Sequence, residues 1–267
     1  MSPSPSETGQ VSGSAAQIYE SFFVPALFEE WPPRVLDAAG VRAGGRGPDV
    51  ACGAGGLARA AAPRSGSPAR VAGLDVNDDM LAVARKVEPA IEWRQGSAED
   101  LPFGDESFDA VLSQFGLMFF EDRGRALREM YRVLAPGRRL AVAVWGRLEG
   151  APGYPSQGGR GEEVHGRSVA GGLRAPFALG DAAVLRSIFE SAGLVVDRID
   201  TLVGRAVFPS IRDWVFTDIR GWTLSEAVDE AGLEQLTEAS ESRLARFAAS
   251  GRVEFAMPAH IAAVSEP

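Results

Sequence analysis

The sequence predicts an α/β fold, a mostly parallel sheet with helices on both faces. Two observations carry this expectation. Short strand-like runs alternate with helical patterns between Arg46 and Trp145. Near the start of that alternation stands a glycine-rich turn, Asp49-Val50-Ala51-Cys52-Gly53-Ala54-Gly55-Gly56, set between an apolar run and an Ala-rich helical pattern. A strand, a glycine turn and a helix form half of a nucleotide-binding unit. Hydrophobic residues make up 45% of the 267-residue chain, enough for a sizeable core.

Each element follows from its local pattern. Met1 to Gly13 is rich in Ser, Pro and Gly and is expected to be disordered. Ile18 to Trp31 suits an amphipathic helix carrying Tyr19, Phe22, Phe23 and Phe28, and Arg34 to Ala39 a second helix stopped by Gly40. Arg46 to Ala51 is a first strand weakened by Gly47 and Pro48. A helix from Leu57 to Ala62 ends at Pro63. Arg70 to Val76 is a second strand, and Asn77 or Asp78 caps the helix that follows. Ile91 to Gln95, Phe108 to Ser113 and Leu140 to Trp145 are the third, fourth and fifth strands, with a helix from Asp122 to Leu134 before Pro136-Gly137. Gly146 to Gly180 breaks the alternation and reads as a long functional loop. Asp181 caps a helix through Ala192, Leu194 to Val207 holds a sixth strand, Phe208 to Ser250 is largely helical, and Arg252 to Val264 is a last strand. These segments divide into a tail (1–13), an N-terminal helical lid (14–45), a cofactor-binding core (46–146), an insertion beside the substrate pocket (147–180) and a completion of the sheet (181–267) that contains a helical insertion (208–250).

Charge and composition exclude several functions. A net charge of −9 disfavours nucleic acid and anionic membrane surfaces. One cysteine permits no internal disulfide and no thiolate metal cluster, and no metal is expected. No apolar run reaches the ~20 residues of a membrane span. No signal peptide is expected either, because no basic flank precedes an apolar run near Met1. The expected setting is cytoplasmic, as a monomer or homodimer acting on a small molecule.

The glycine turn gains meaning from two acids. Asp75 ends the second strand, 20 residues beyond Gly55. Ligands of open α/β sheets bind outside the carboxyl ends of the strands, where an acid accepts hydrogen bonds from ribose hydroxyls. An adenosine-containing cofactor follows. Gly53-Ala54-Gly55-Gly56-Leu57-Ala58 fits the dinucleotide pattern as well, so the glycines alone permit a nicotinamide or flavin. Asp49 lies four residues before Gly53 and argues otherwise. A carboxylate there suits an ammonium group and would repel a pyrophosphate. S-adenosylmethionine carries that ammonium and no phosphate.

Asp49 to Gly55 resembles motif I of class I S-adenosylmethionine-dependent methyltransferases, and Leu74-Asp75-Val76-Asn77 with Met80-Leu81 resembles motif II. Gly96 to Phe103 is similar to their adenine-covering loop, Phe108-Asp109-Ala110-Val111 to the start of their fourth strand, and Arg132 to Gly137 to the turn before the fifth. The nearest subgroup is the ubiquinone/menaquinone-biosynthesis-like (type 11) enzymes. The resemblance covers Asp49 to Trp145 and implies a Rossmann-like seven-stranded sheet. It also implies roles. Asp49, Ala51, Gly53 and Gly55 would surround the methionine moiety, and Asp75 would bind the ribose. Val76 and Met80 would pack on the adenine, with Ser97, Ala98 and Glu99 along its edge. Gln114 and Phe115 would lie near the reactive methyl, and Tyr19 and Phe23 would close over the cofactor. The sequence departs from the family at Pro48, at Ser97 where Asp is usual, and at Arg138 where a second Gly is usual. Val35 to Gly40 also imitates motif I but lacks the second glycine, and reads as a helix and its stop.

Methyl transfer needs alignment more than a protein nucleophile, because the cofactor supplies the leaving group. An oxygen nucleophile often needs a general base. The candidates are His165, His260, Tyr19, Tyr154 and the acids near the insertion; His165, in the capping loop, is the expected base, set against an ordinary exposed loop histidine. His260 and Cys52 read as structural. Aromatic residues in the terminal and inserted segments point to an apolar, aromatic or polyketide-like substrate. Methyl transfer to O, N or C would leave S-adenosylhomocysteine. Two alternatives stand beside it: a methyltransferase-fold protein that retains the cofactor for cyclisation or hydroxylation, and a cofactor-binding partner protein.

Overall fold

The computed structural model describes residues 13–154, 173–221, 228–249 and 251–266. Its core begins with β1 (Gly47–Val50), β2 (Val71–Asp75) and β3 (Glu92–Gln95), laid side by side in parallel, each step outward from the last. The chain then returns to the other side of β1 with β4 (Phe108–Gln114) and β5 (Leu134–Trp145), also parallel. The order thus reverses between β1 and β4, which opens a crevice at their carboxyl ends. β6 (Arg198–Phe208) and β8 (Arg252–Ser265) complete the path β3-β2-β1-β4-β5-β8-β6, and the two-residue β7 (Ala248–Ala249) pairs with β8. β8 runs antiparallel to both neighbours. The predicted seven-stranded, mostly parallel sheet is present, with one short extra strand.

Helices α1 (Gly13–Ile18), α2 (Tyr19–Phe28) and α3 (Pro32–Ala38) precede the sheet. α4 (Gly56–Ser65), α5 (Asp78–Val87) and α6 (Arg123–Arg132) connect the parallel strands. α7 (Ala182–Ser191), α8 (Ile211–Arg220) and α9 (Glu230–Leu244) follow. The expected caps form. Asn77 accepts the Met80 N–H at 3.1 Å, and Asp181 accepts the Ala183 N–H at 2.8 Å. The core lies along the sheet, with Leu36, Val50, Leu74, Leu112 and Leu140 at most 2% exposed.

Several expectations change. Residues 1–12 lie outside those described, but Gly13 already belongs to α1. The helix expected from Ile18 is wide: α2 bonds residue to fifth neighbour, as in Glu29 N–H to Val24 O at 2.9 Å, with Pro25 inside it. Pro63 does not stop α4, because near a helix end its missing N–H costs one bond only; Gly66, at φ 89°, is the stop. β5 starts at Leu134 and carries Pro136-Gly137 as an irregularity, since its register with β4 shifts between Phe108 and Ala110. The chain beyond β8 supports that stretch through Gly137 N–H to Glu266 O and Glu266 N–H to Arg138 O.

Candidate functional site

The departures in β1 have steric reasons. A Cβ on Gly47 would stand 2.2 Å from the Ala110 carbonyl oxygen, so only glycine lets β4 approach here. Pro48 keeps its place in the β2 ladder opposite Ala72, while the β4 side pairs only at Asp49 and Leu112. Arg138 needs no glycine freedom, because Gly137 takes the left-handed turn at φ 73°; the Arg138 guanidinium pairs with Asp109 at 2.8 Å.

The ends of β1 and β2 present two buried carboxylates. Asp49 is 1% exposed, and its Oδ2 accepts the Ala58 N–H of α4 at 2.9 Å. Its Oδ1 is buried without a hydrogen-bond partner among the described residues. Burial is the main force that pushes the Asp49 carboxyl up to about 8, against the Ala58 hydrogen bond; the nearby Asp75 charge adds to it. Asp75 accepts the Gly53 N–H at 2.8 Å on one oxygen and the Asn77 N–H at 2.9 Å on the other. Burial raises its pKa too, and the backbone donors oppose the rise. Each carboxylate oxygen retains a further lone pair.

The glycines of the turn divide their work. Gly53 sits at φ 54°, and a Cβ there would meet nothing within 4 Å. Gly55, at φ 87°, is a packing glycine, because a Cβ would stand 2.3 Å from the Trp93 ring on β3. Cys52 is buried beneath the turn, where desolvation raises its thiol pKa, so it is a packing residue rather than a nucleophile.

Two non-glycine residues in the crevice hold left-handed backbone, Ala51 at φ 58° and Phe115 at φ 59°. They end adjacent strands on either side of the switch point. Such conformations persist where surrounding packing over-determines them, and they cluster at ligand sites. Phe115 stacks on Trp145 with centroids 3.8 Å apart and planes 12° apart, and Trp31 meets both rings edge-on.

A cavity of about 140 Å³ opens above these residues. Asp49, Ala51, Gly53, Asp75, Val76, Met80, Gln114, Phe115 and Tyr19 all line it. The Gln114 Oε1 is buried there without a hydrogen-bond partner among the described residues. A second cavity, about 50 Å³, adjoins across Tyr19, Phe28, Phe115 and Phe119 and includes Phe23. A larger cleft, about 420 Å³, is at the opposite end of the sheet, beside Gly44, Arg46, Asp109 and Arg138, away from the carboxyl ends where such folds bind ligands.

Five expected contacts are not brought to the 140 Å³ cavity, Phe23 lining only the smaller one. Gly55 faces Trp93. Ser97, Ala98 and Glu99 stand off its lining: Ser97 Oγ accepts the Glu99 N–H at 3.1 Å, and Glu99 accepts the Asp122 N–H at 2.9 Å. The Glu99 bond ties the loop to the N-cap of α6. His165 lies outside the described residues. His260 is structural, one ring nitrogen 2.9 Å from Thr201 Oγ1 and the other 2.9 Å from the Gly180 carbonyl. The sequence reading missed Asp218, a 2%-exposed acid on α8 that lines the smaller cavity with Tyr154. An acid within the apolar run Trp214 to Ile219 was its signal. Among the described residues no cluster of potential metal ligands occurs, and no helix is long and apolar enough to cross a membrane.

Residues 48–142 match a family described as a methyltransferase domain. The chain is 41% identical over 120 residues to a chloroplastic 2-phytyl-1,4-beta-naphthoquinone methyltransferase of Arabidopsis thaliana, covering 42% of this chain and 46% of that one. It is 41% identical over 118 residues to the ubiquinone/menaquinone biosynthesis C-methyltransferase UbiE of an Enterobacter species, covering 42% and 47%. The chain thus matches about half the length of these curated relatives. Among solved structures, the [4+2]-cyclase SpnF aligns over 100% of this chain and 98% of its own, with a TM-score of 0.62 at 19% identity. A phosphoethanolamine N-methyltransferase of Haemonchus contortus solved with S-adenosyl-L-methionine aligns over 96% and 57%, with a TM-score of 0.60 at 19% identity. The fold is the Rossmann-like methyltransferase fold.

Proposed function

We propose that this chain, whose residues 48–142 match a methyltransferase-domain family, is a class I methyltransferase of the type 11 subgroup that transfers a methyl group from S-adenosylmethionine to an apolar, quinone-like small molecule. The observation that carries the reading is the buried pair Asp49 and Asp75 at the reversal of strand order. A buried carboxylate oxygen without a partner is costly unless a ligand supplies one. An α-ammonium does so at Asp49, and a pyrophosphate does not. The residues therefore fit S-adenosylmethionine better than a dinucleotide.

Asp49 and Gln114 would hold the amino acid end, Gly53 leaves its path open, and Asp75 would accept the ribose hydroxyls while keeping Gly53 and Asn77 in position. Val76 and Met80 would flank the base. Bound there, the cofactor supplies an electrophilic sulfonium methyl and its own leaving group. The protein's part is to align the acceptor and exclude water. Tyr19, Phe28 and Phe115, shared by both cavities, are the wall across which acceptor and cofactor meet.

Residues 14–45 act as a lid. The two cavities, about 140 and 50 Å³, are below the ~300 Å³ lower bound of small-molecule sites, so ligand entry requires α2 to move. The chain would act in the cytoplasm, as a monomer or homodimer. His165 is retained as a candidate base. Ser97, Ala98 and Glu99 would reach the adenine edge only if their loop closes on the cofactor.

Incubation with methyl-labelled S-adenosylmethionine and a reduced naphthoquinone tests the reading. Label is expected in the organic product together with S-adenosylhomocysteine. Cofactor that binds but transfers no label to any reduced quinone would favour a second reading, in which the cofactor is retained for a different reaction. The full-length alignment to a [4+2]-cyclase makes that reading specific. Failure to bind S-adenosylmethionine at all would overturn both.

A further inference from the structure

The 420 Å³ cleft at the amino ends of β1, β4 and β5 takes no part in the cofactor site. Unlike the two cavities beside the crevice, it falls within the ~300–1,000 Å³ range of small-molecule sites. Four arginines line it, Arg42, Arg46, Arg138 and Arg139, against a single acid, Asp109. That balance stands out in a chain whose net charge is −9. The arginines come from two distant segments, the loop between α3 and β1 and the early part of β5. Gly44 at φ 86° and Gly137 at φ 73° turn those segments beside the cleft.

Most of this positive charge is uncommitted. Arg138 pairs with Asp109 at 2.8 Å, and the other Asp109 oxygen accepts the Arg46 N–H at 3.0 Å. The Arg46 guanidinium stands 5.9 Å from the Phe108 ring, near the outer limit of a cation–π contact. The Arg42 and Arg139 guanidiniums have no hydrogen-bond or ion-pair partner among the described residues. Helix capping does not account for them, because neither donates to a carbonyl; at the end of α4 the Gly44 N–H already serves Ser65 O at 2.9 Å.

A concave wall of one sign focuses its field and concentrates the opposite sign. A guanidinium presents a planar fork of donors that matches the oxygens of a phosphate. Three forks without a carboxylate partner offer more donors than one small monoanion uses. No aromatic side chain lines the cleft, so nothing there stacks on a nucleobase.

We infer that this cleft binds a compact polyphosphate, with a diphosphate as its smallest form. Arg42, Arg46 and Arg139 supply the charge-assisted donors, and the ligand ties the loop after α3 to β5. The site is separate from the cofactor crevice: Gly47, at the start of β1, borders the cleft, whereas Asp49 near its end lines the crevice.

Titration calorimetry of the full chain with inorganic pyrophosphate, at about 0.15 M salt, tests the site. One site per chain is expected, with inorganic phosphate bound several-fold more weakly. Arg42→Gln and Arg139→Gln should each weaken pyrophosphate by about tenfold, the value of one charge-assisted hydrogen bond. Both side chains are exposed, so neither change disturbs the core. Asp109→Asn should tighten binding several-fold, by removing the acid and releasing Arg138. Arg128→Gln makes the same charge change on the exposed face of α6 and should leave the affinity unchanged. ADP, which carries the diphosphate on a nucleoside, should bind no more tightly than pyrophosphate. Saturating S-adenosylhomocysteine should not displace the ligand, and the variants separate this site from the crevice whether or not that compound binds. No binding of millimolar pyrophosphate, an affinity that survives the Arg42→Gln/Arg139→Gln double variant, an equal loss in Arg128→Gln, tighter binding of ADP, or displacement by S-adenosylhomocysteine would overturn the inference.

Discussion

Asp49 is the residue on which the proposed cofactor site depends most. Its carboxyl titrates near 8 in the free protein because it is buried beside Asp75. Binding an ammonium requires the ionised form. Affinity for S-adenosylhomocysteine should therefore rise between pH 6 and 8, by up to about tenfold per unit below the pKa, with a proton released on binding. Calorimetry in buffers of different ionisation enthalpy reads that proton directly; flat affinity and no release would contradict the assignment. The same burial affects stability. An acid whose folded pKa is raised contributes stability that is complete below its unfolded value of 3.8 and lost as pH rises through about 8. Asp49→Asn should accordingly raise Tm by several degrees at pH 8.5 and by less at pH 5, while weakening cofactor binding. A second residue-scale test is Gly55→Ala. Its Cβ meets the Trp93 ring at 2.3 Å from a left-handed backbone, so a loss of about 1–3 kcal/mol is expected in a denaturant titration. Asp49, Asp75 and Gly53 were legible in the sequence because spacing from a strand end fixes where such residues fall. The left-handed backbones of Ala51 and Phe115 were not, since no residue type there announces them.

At the scale of elements, the proposed lid rests on α2. Its Glu20 pairs with Arg59 of α4 at 2.6 Å, and Arg59 also donates to the Ala54 carbonyl of the glycine turn at 2.6 Å. One side chain thus ties α2 to the glycine turn. Both partners are about one-fifth exposed, so the pair is screened only in part. Arg59→Met should speed S-adenosylhomocysteine association and dissociation several-fold in stopped-flow measurements, and expose α2 to limited proteolysis. Unchanged rates would mean that the cofactor enters without moving α2. The sequence indicated an aromatic helix here but not its width. Tyr19, Phe23 and Phe28 stand four and five residues apart, and only the wide winding, with Pro25 withholding a donor, brings them toward Phe115 and Trp145. Ser97 to Glu99 failed to reach the cavity for a related reason: loop bonds to α6 are not encoded in any period.

At the scale of the molecule, strand order makes the site. The parallel strands were readable from the alternation of elements, but their order, with its reversal between β1 and β4, was not, because no local signal states which neighbour a strand takes. The second half was less legible. β8 pairs with β6 from Val253 to Ala263 and with β5 from Ala259 to Ser265, yet nothing local tells it to lie between them. The Tyr154–Asp218 hydrogen bond depends on that arrangement, since it is assembled from segments 64 residues apart and walled by Phe255 of β8. The central claim is that the crevice at the switch point holds S-adenosylmethionine through Asp49 and Asp75. Titration calorimetry of the full chain and its Asp75→Asn variant with S-adenosylhomocysteine at pH 8 tests it most directly. The claim predicts one site per chain, with affinity reduced about 100-fold in the variant, as two charge-assisted hydrogen bonds to the ribose require. Equal affinity in the two proteins, or no binding to the parent chain at millimolar ligand, would contradict it.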